Sequence, residues 1–569
     1  MIEIIFFCFV TSIIYFSAGY FFNTNIAALN LNYTKNTAIN YIYGFIFLGF
    51  FSIIINFFFP LNQNINSILS IFFLVYFFYT FRHSKNKNKI IKSILLITFF
   101  SALLITLSEA NRPDAGLYHF PYTKILNENK IIIGLTNIHF RFGHTSILQY
   151  LNALNFNFAF SENGILIPQA QIIVSVFLYF YKEFLNEIKR SDSSFLILFL
   201  FFTFLFSIFN YNRYGSFGND ASGNIFFLLL VYEFLKLVKK NNNQKKHLFN
   251  LVYLSLFCVA LKPFLLFSLL FPLAYIINFK KKIYEIISNR NFYICLIFIS
   301  CFLLKNLLIS GCFIYPSSKT CISNLNWSNH DRTKKEEILG EAWSKDWVNF
   351  NNVKKINASE FNKDFIWFKT WKNNQFNTIV KKNSPFLVLS LIILIFLKLF
   401  LDKKKLNNKF FNKNFVIIST TLIIVIASLL FWFLKFPLYR YGSGFLGSLF
   451  IILFSLIFAK INSKLNLNIM KKLKIIIFIS IIFIIVKNFN RIYNKYEIRY
   501  LNYPWPKMNS FTNNNYKKNY EEVIINNKFL FYKVNDGLCM YGNSPCSYYI
   551  EDNIDLKILR GYKMYYVKR

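Results

Sequence analysis

Residues 112–144, RPDAGLYHFPYTKILNENKIIIGLTNIHFRFGH, form the one long polar interruption in a first half that is otherwise lipid-soluble. An apolar run ends just before it at Ser108, and the next begins just after it, near Gly164. The stretch places Asp114, His119, His139, Arg141 and His144 between apolar segments and holds three of the six histidines in the chain. Ionisable groups at a membrane edge are costly and therefore point to function. This loop is the candidate site.

Outward from the loop, the fold class follows from run length. Apolar runs fall at 2–22, 38–59, 67–81, 91–108, 165–181, 194–211, 222–238, 248–261, 264–278, 291–309, 385–401, 414–434, 443–459 and 474–488. A bilayer asks for roughly 20 apolar residues per upright helix. The expectation is an all-α polytopic membrane protein of about 12–14 transmembrane helices. The spread in the count comes from short runs, above all the pair broken at Lys262-Pro263, which reads as a re-entrant hairpin. Met1 begins the first run with Glu3 and no basic segment, and no small-residue cleavage site follows, so an uncleaved helix is expected.

The composition agrees: 55% of residues are hydrophobic and 74 are Phe. The formal charge of +38 suggests nucleic acid at first sight, but the Lys and Arg lie mainly in short loops between apolar runs, where they set membrane orientation. No nucleic-acid partner is needed. Loops 82–92, 182–190, 236–246, 280–290, 398–413 and 460–474 are all basic, and with fourteen spans they share one side, the cytoplasm. The long polar segments then share the other. The domain reading is four spans in 1–108, an external loop with amphipathic helices in 109–164, spans in 165–310, an external loop in 311–384, spans in 385–488 and an external cap in 489–569.

Four of the eight cysteines lie in apolar runs and behave as small buried hydrophobes. The other four form close pairs, Cys312 with Cys321 and Cys539 with Cys546, both on the side assigned as external, and disulfides there fit an oxidising compartment. The loop 311–384 carries Trp327, Trp343, Trp347, Trp367 and Trp371. They read as interfacial anchors or as platforms for stacking on sugar rings. In the tail, alternating runs at 528–534 and 556–567 surround Asp536-Gly537 and Gly542-Asn543-Ser544-Pro545. These strand and turn signals predict a small α+β cap pinned by the second disulfide. Walker, HExxH and GxSxG patterns are absent.

Within the loop, Asp114 reads either as a helix cap for the segment that follows or as a half-desolvated base or metal ligand. Around it stand Tyr118, His119, Tyr122, Asn137, His139, Arg141 and His144, a dense set of hydrogen-bonding and phosphate-pairing groups. If 115–130 is helical, Tyr118 and Tyr122 share a face of an amphipathic surface helix. The histidine spacing matches no compact zinc pattern, so a divalent metal is left as an open alternative and the cofactor as unknown.

Three more charged positions sit at outer ends of runs. Asp220 opens the seventh run as a cap or a second acid. Lys262 needs an anionic partner or water. Arg440, in Pro437-Leu438-Tyr439-Arg440-Tyr441-Gly442, is placed either to pair bidentately with phosphate or to snorkel at the interface. Lys305, near the end of its run, reads the same way with less weight.

An acid, hydrogen-bonding rings and cations at one membrane edge suggest a lipid-phosphate substrate. The layout resembles the GT-C class of integral membrane glycosyltransferases, in which an acidic residue of the first long external loop acts as general base or metal ligand. Asp114 occupies the matching place. The run Asp114-Ala115-Gly116-Leu117-Tyr118-His119-Phe120-Pro121-Tyr122, with Gly134-Leu135-x-Asn137-x-His139-x-Arg141-Phe142-Gly143, is similar to that of a poorly characterised bacterial group of large polytopic membrane proteins near this class. Ser310-Gly311-Cys312 with Tyr315-Pro316, and Cys539 with Pro545-Cys546, look like further marks of that group. In the class pattern the acidic loop follows the first span, whereas here it follows the fourth.

The resemblance implies sugar transfer from a polyprenyl-(pyro)phosphate carrier to an envelope acceptor on the outer face of a bacterial inner membrane. Asp114 would be the catalytic residue, with Tyr118, His119, His139, Arg141, His144, Asp220, Lys262 and Arg440 binding substrate. The alternatives are a lipid-linked glycan polymerase or ligase resting on Arg332 and Arg440, a flippase with Lys262-Pro263 as a broken helix, or a non-catalytic scaffold. Sugar, acceptor and oligomeric state are not written in the sequence.

Overall fold

The structure is a computed structural model that describes residues 2–29, 36–106, 114–190, 193–211, 218–238, 244–352, 355–399, 408–461, 467–494, 520–525, 528–535, 538–548 and 553–568. The chain opens with four apolar helices, α1 (Ile2–Phe21), α2 (Ala38–Phe58), α3 (Gln63–Arg82) and α4 (Lys87–Thr106). The loop contributes α5 (Phe120–Glu128) and α6 (Ile147–Leu154). Then come α7 (Ile167–Arg190), α8 (Ser194–Asn210), α9 (Asp220–Leu235), α10 (Gln244–Leu261), α11 (Leu270–Asn278), the short α12 (Ile283–Ile287) and α13 (Arg290–Ser310). A second polar segment holds α14 (His330–Ser344), α15 (Trp347–Asn351), α16 (Ala358–Phe361) and α17 (Phe368–Trp371). The bundle closes with α18 (Asn377–Leu399), α19 (Asn408–Lys435), α20 (Tyr439–Ile461) and α21 (Leu467–Asn494).

In its described residues each of the fourteen apolar runs is helical over nearly its whole length. Among the described residues, ten segments are long and apolar enough to cross a bilayer; Ser194–Asn210, His247–Leu261 and Pro263–Asn278 are shorter apolar helices. Burial sorts the helices by position. Nearly every residue of α8 and α9 is buried on all sides, which places them at the centre of the bundle. Helix α3 instead exposes Ile68, Ile71, Phe72, Val75 and Phe78 at helical spacing. A continuous apolar stripe of that size is a lipid-facing surface.

The Lys262-Pro263 break behaves as the half-length runs suggest. Lys262 is extended (φ −156°, ψ 118°), and a 3₁₀ segment from Pro263 to Leu269 leads into α11. Ser255 and Ser268 exchange hydroxyl-to-carbonyl bonds of 3.0 and 3.2 Å, so the chain folds back on itself at Lys262. Gly442, Gly444 and Gly447 make a GxGxxG spacing in α20, but no strand precedes it. Its function is packing: a Cβ at those positions would meet Trp432, Asn224 and Phe206 at 2.3, 2.8 and 2.4 Å.

Where the segments expected as basic loops at 182–190 and 236–246 begin, a buried polar network joins α7, the end of α9 and α10, which the sequence reading did not anticipate. Glu233 accepts from Lys236 (3.1 Å) and Asn250 (2.7 Å) and also from Tyr179. Glu183 accepts from Asn36 (3.0 Å) and Tyr232 (3.3 Å), with Lys236 3.5 Å away.

The cap holds β1 (Tyr520–Ile525), β2 (Lys528–Val534), β3 (Cys546–Ser547), β4 (Ile554–Leu559) and β5 (Tyr562–Val567). Strands β1 and β2 pair antiparallel, β3 joins β2 in parallel, and β4–β5 is a hairpin. The expected single run 556–567 is thus two strands, turned by Arg560 and Gly561, both at positive φ (49° and 79°). From Tyr520 onward the described cap has β-strands as its only regular elements, and of the expected α+β cap the described helix is the end of α21 up to Asn494; Asp536-Gly537 lies outside the described residues. Both expected disulfides, Cys312–Cys321 and Cys539–Cys546, are formed.

Candidate functional site

The loop 114–144 is not a helix lying on a membrane surface. Residues Ala115–His119 form one π-turn, and α5 buries Phe120, Tyr122, Thr123, Ile125, Leu126 and Asn127. The cap holds the loop in place. Ile133 and strand β5 exchange backbone bonds with Lys563 and Tyr565, both 2.9 Å. Asn137 Nδ2 donates to the carbonyls of Trp327 and Tyr565, both 3.0 Å. Gly134 sits between them at φ +66°, and a Cβ there would come within 2.1 Å of the Tyr565 carbonyl. Only glycine tolerates that combination.

This anchoring aims Asp114 at the bundle. It makes no side-chain cap bond to the turn it precedes, so the capping reading is replaced by an ionic one. Arg141 Nη1 donates to Asp114 Oδ1 at 2.9 Å, and Arg440 Nη1 lies 3.5 Å from Oδ2. Burial of Asp114 opposes its charge, but Arg141 and Arg440 outweigh that and hold the carboxyl below its usual range. Arg141 is set in turn by His139, whose Nδ1 accepts the Arg141 backbone N–H at 3.1 Å.

Asp220 is the second acid. It too is ionic rather than a cap, pairing with Lys262 and lying 3.6 Å from Arg440 Nε. Two asparagines bring these charges together. Asn219 Nδ2 donates to the Leu261 carbonyl (2.7 Å), which brings the start of α9 to the fold-back at Lys262. Asn224 Nδ2 donates to the Arg440 carbonyl (2.8 Å) while its Oδ1 accepts from Gly444 N (2.9 Å), which ties α9 to the first turn of α20. Lys262 Nζ also lies 3.9 Å from the centre of the Tyr441 ring, and Arg440 Nη2 donates to the Tyr441 hydroxyl at 3.1 Å.

His119 is fixed by a capping box. Ser146 N–H donates to Gln149 Oε1 at 2.9 Å, so the amide turns its Nε2 toward His119 Nδ1, 3.2 Å away. The proton of the ring then sits on Nε2. Burial lowers the pKa of His119 to about 3 and that of His139 to about 3, so both rings are neutral near pH 7.

The result is a cavity lined by Asp114, Tyr118, His119, Asp220, Lys262, Arg440 and Tyr441. Three cations, counting Arg141, face two carboxylates, a formal excess of one positive charge. Its open volume is about 30 Å³, room for a water or two and not for a sugar ring. The contacts of Arg440 at 3.5 and 3.6 Å are longer than a direct hydrogen bond and are the ones a ligand would displace.

Six predicted residues therefore line one cavity, and Arg141 supports it from behind. His139 and His144 do not reach it: His139 packs on Phe142 and Tyr548, and His144 meets Tyr315 edge-on at 5.2 Å. Lys305 is buried elsewhere, bonded to Thr145 and 4.6 Å from the Phe302 ring centre. Arg332 faces the Phe140 ring at 5.9 Å, outside the lining. Of the three histidines expected to bind substrate only His119 thus lines the cavity, and among the described residues no group of three His, Cys, Asp or Glu is disposed to hold a metal ion. With both acids matched to guanidinium or ammonium groups, the donor set does not fit a resident divalent cation.

Asn219, Asn224 and Gln149 were missed because nothing in local spacing marks an amide that ties two helices. Tyr441 had one signal, its place beside Arg440 in a polar break. No curated protein and no solved structure matches the chain. A family described as a domain of unknown function (DUF8201) matches residues 1–447, a range that includes every residue lining the cavity. The chain belongs to this DUF8201 family.

Proposed function

We propose that the protein is a GT-C-type membrane glycosyltransferase that moves a sugar from a polyprenyl-(pyro)phosphate donor to a cell-envelope acceptor on the outer face of the inner membrane. The observation that carries this reading is the meeting of Asp114 and Asp220 with Lys262 and Arg440 in one cavity, backed by Arg141, at the loop end of an apolar bundle. An excess of one positive charge favours an anionic ligand, and apolar flanks favour one carried on a lipid. The orientation rests on the positive-inside rule, with the six basic loops that alternate along the chain with the polar segments read as cytoplasmic in a fourteen-span topology.

In this reading Arg440 and Lys262 exchange their carboxylate partners for the donor phosphate and stabilise it as it departs. Asp114, released from Arg440, then orients the acceptor hydroxyl. While paired, it is too acidic to be an effective base at neutral pH, because a general base works best with a pKa near the working pH. Release from Arg440 raises its basicity at the moment a ligand is bound. His119, neutral, offers a hydrogen bond rather than a charge.

Purified protein in lipid nanodiscs, supplied with labelled polyprenyl-phosphate sugars and an envelope extract, should transfer label, and Asp114→Ala should lower the rate by about 100-fold or more. Undiminished transfer by that variant would remove Asp114 from the mechanism. A polymerase or ligase shares the cavity and Arg440, but it also calls on Arg332, which lies against Phe140 outside the lining.

A further inference from the structure

The five tryptophans of the polar segment 311–384 have different fates. Trp367 and Trp371 are buried in a small core, and the indole N–H groups of Trp327, Trp347 and Trp371 donate to the carbonyls of Leu307, Ile356 and Pro437 at 3.0, 2.9 and 2.7 Å. Trp343 differs. It is 51% exposed, and its ring centre lies 5.6 Å from the Arg440 guanidinium carbon. The ring therefore stands at the rim of the cavity, over the cation that joins the two carboxylates.

Its surroundings are polar. Helix α14 carries Asp331, Arg332, Lys334, Lys335, Glu336, Glu337 and Glu341, a composition for water rather than for the acyl region. The apolar residues of this helix, Ile338, Leu339 and Ala342, pack on the small core, so they do not give it the exposed apolar face of a bilayer anchor. Its position is also fixed. Ser344 Oγ donates to the Lys435 carbonyl (3.1 Å), and Lys435 Nζ pairs with Glu341 at 2.9 Å. Both contacts tie the end of α14 to the end of α19, just before the turn into α20, so Trp343 and Arg440 keep their relation.

We infer that Trp343 is a carbohydrate platform that stacks the pyranose ring attached to the phosphate held at Arg440. The inference rests on the reading of the cavity as a lipid-phosphate site. The electron-rich indole face that receives a guanidinium also receives the polarised C–H bonds of a pyranose face. At 5.6 Å the guanidinium leaves part of that face open. A sugar one bond beyond a phosphate on Arg440 would lie within reach of it.

The test uses the full chain in nanodiscs and direct binding of farnesyl phosphate and of its glucosyl, galactosyl, mannosyl and N-acetylglucosaminyl phosphodiesters. Wild type should bind at least one glycoside more tightly than bare farnesyl phosphate. Trp343→Ala should lose that excess, about tenfold, with farnesyl phosphate affinity unchanged, and Trp343→Phe should keep most of it. The platform is overturned if no glycoside exceeds the bare phosphate, if Trp343→Ala binds like wild type, or if it weakens every lipid equally, as loss of an anchor would. Failure of wild type to bind farnesyl phosphate at all has a different pattern: it overturns the lipid-phosphate reading and the platform together.

Discussion

At the scale of single residues, burial holds His119 in the cavity and His139 outside it neutral, while neighbouring cations hold Asp114 ionised, and both choices carry a pH dependence. His119 and His139 have folded pKa values of about 3, below the roughly 6.5 of an unfolded histidine. Each contributes stability that is fully present above pH 6.5 and is lost as pH falls toward 3, because the unfolded chain takes up a proton that the folded chain refuses. At pH 5 the loss is about 2 kcal/mol per histidine. Melting in nanodiscs should therefore drop between pH 7 and pH 5, and His119→Gln should flatten that drop by one histidine's share. An unchanged slope would mean that His119 is protonated in place. Asp114 acts in the same direction but lower on the pH axis: its lowered pKa stabilises the fold above the unfolded carboxyl value near 3.9 and fades only below it, so the two effects separate by their pH windows.

At the scale of elements, what the sequence made legible was local, and what it hid was tertiary. The alternation at 528–534, the close cysteine pairs and the break at Lys262-Pro263 each depend on neighbours a few residues apart, and each appears in the fold as read. Asp114 and Asp220 could not be told from helix caps by position, since the cations that claim them come from residues 141, 262 and 440. Likewise nothing local distinguishes Trp343, exposed, from Trp367, buried. Gly134 shows the same dependence, because its constraint comes from Tyr565 at the far end of the chain. Gly134→Ala should cost about 1–3 kcal/mol from positive φ alone, with the clash against the Tyr565 carbonyl added. Trypsin should release the cap several-fold faster than from wild type; equal rates would show that the cap docks without this contact. In the bundle interior, Lys236 serves Glu183 and Glu233 together. Lys236→Met should destabilise by roughly 2–4 kcal/mol, the order expected when a mostly buried pair loses one partner, and adding Glu233→Gln should restore part of the loss.

At the scale of the whole molecule, the described polar segments 114–144, 311–376 and 520–568 meet one another through bonds such as Asn137 to Trp327 and Tyr565. They therefore occupy one end of the bundle. The basic loops alternate with them along the chain, and by the excess of Lys and Arg there the proposed topology predicts that they face the cytoplasm. A cysteine-labelling experiment reads this directly, because the native cysteines give little background: four are in disulfides, and Cys8, Cys258 and Cys295 are buried. In a Cys301→Ser background, Ser323→Cys lies exposed just after the first disulfide and Lys85→Cys lies exposed in the first basic loop. A membrane-impermeant maleimide applied to spheroplasts should label position 323 within minutes and position 85 only after lysis. The reverse pattern would put the Asp114 cavity on the cytoplasmic face, where a disulfide-pinned cap would face a reducing compartment and a donor presented to the periplasm could not reach Arg440. Labelling at both positions would break the alternation on which the fourteen-span count depends, and because the pair folded back at Lys262 contributes two crossings or none, the miscount would have to lie in another run between the two labelled positions.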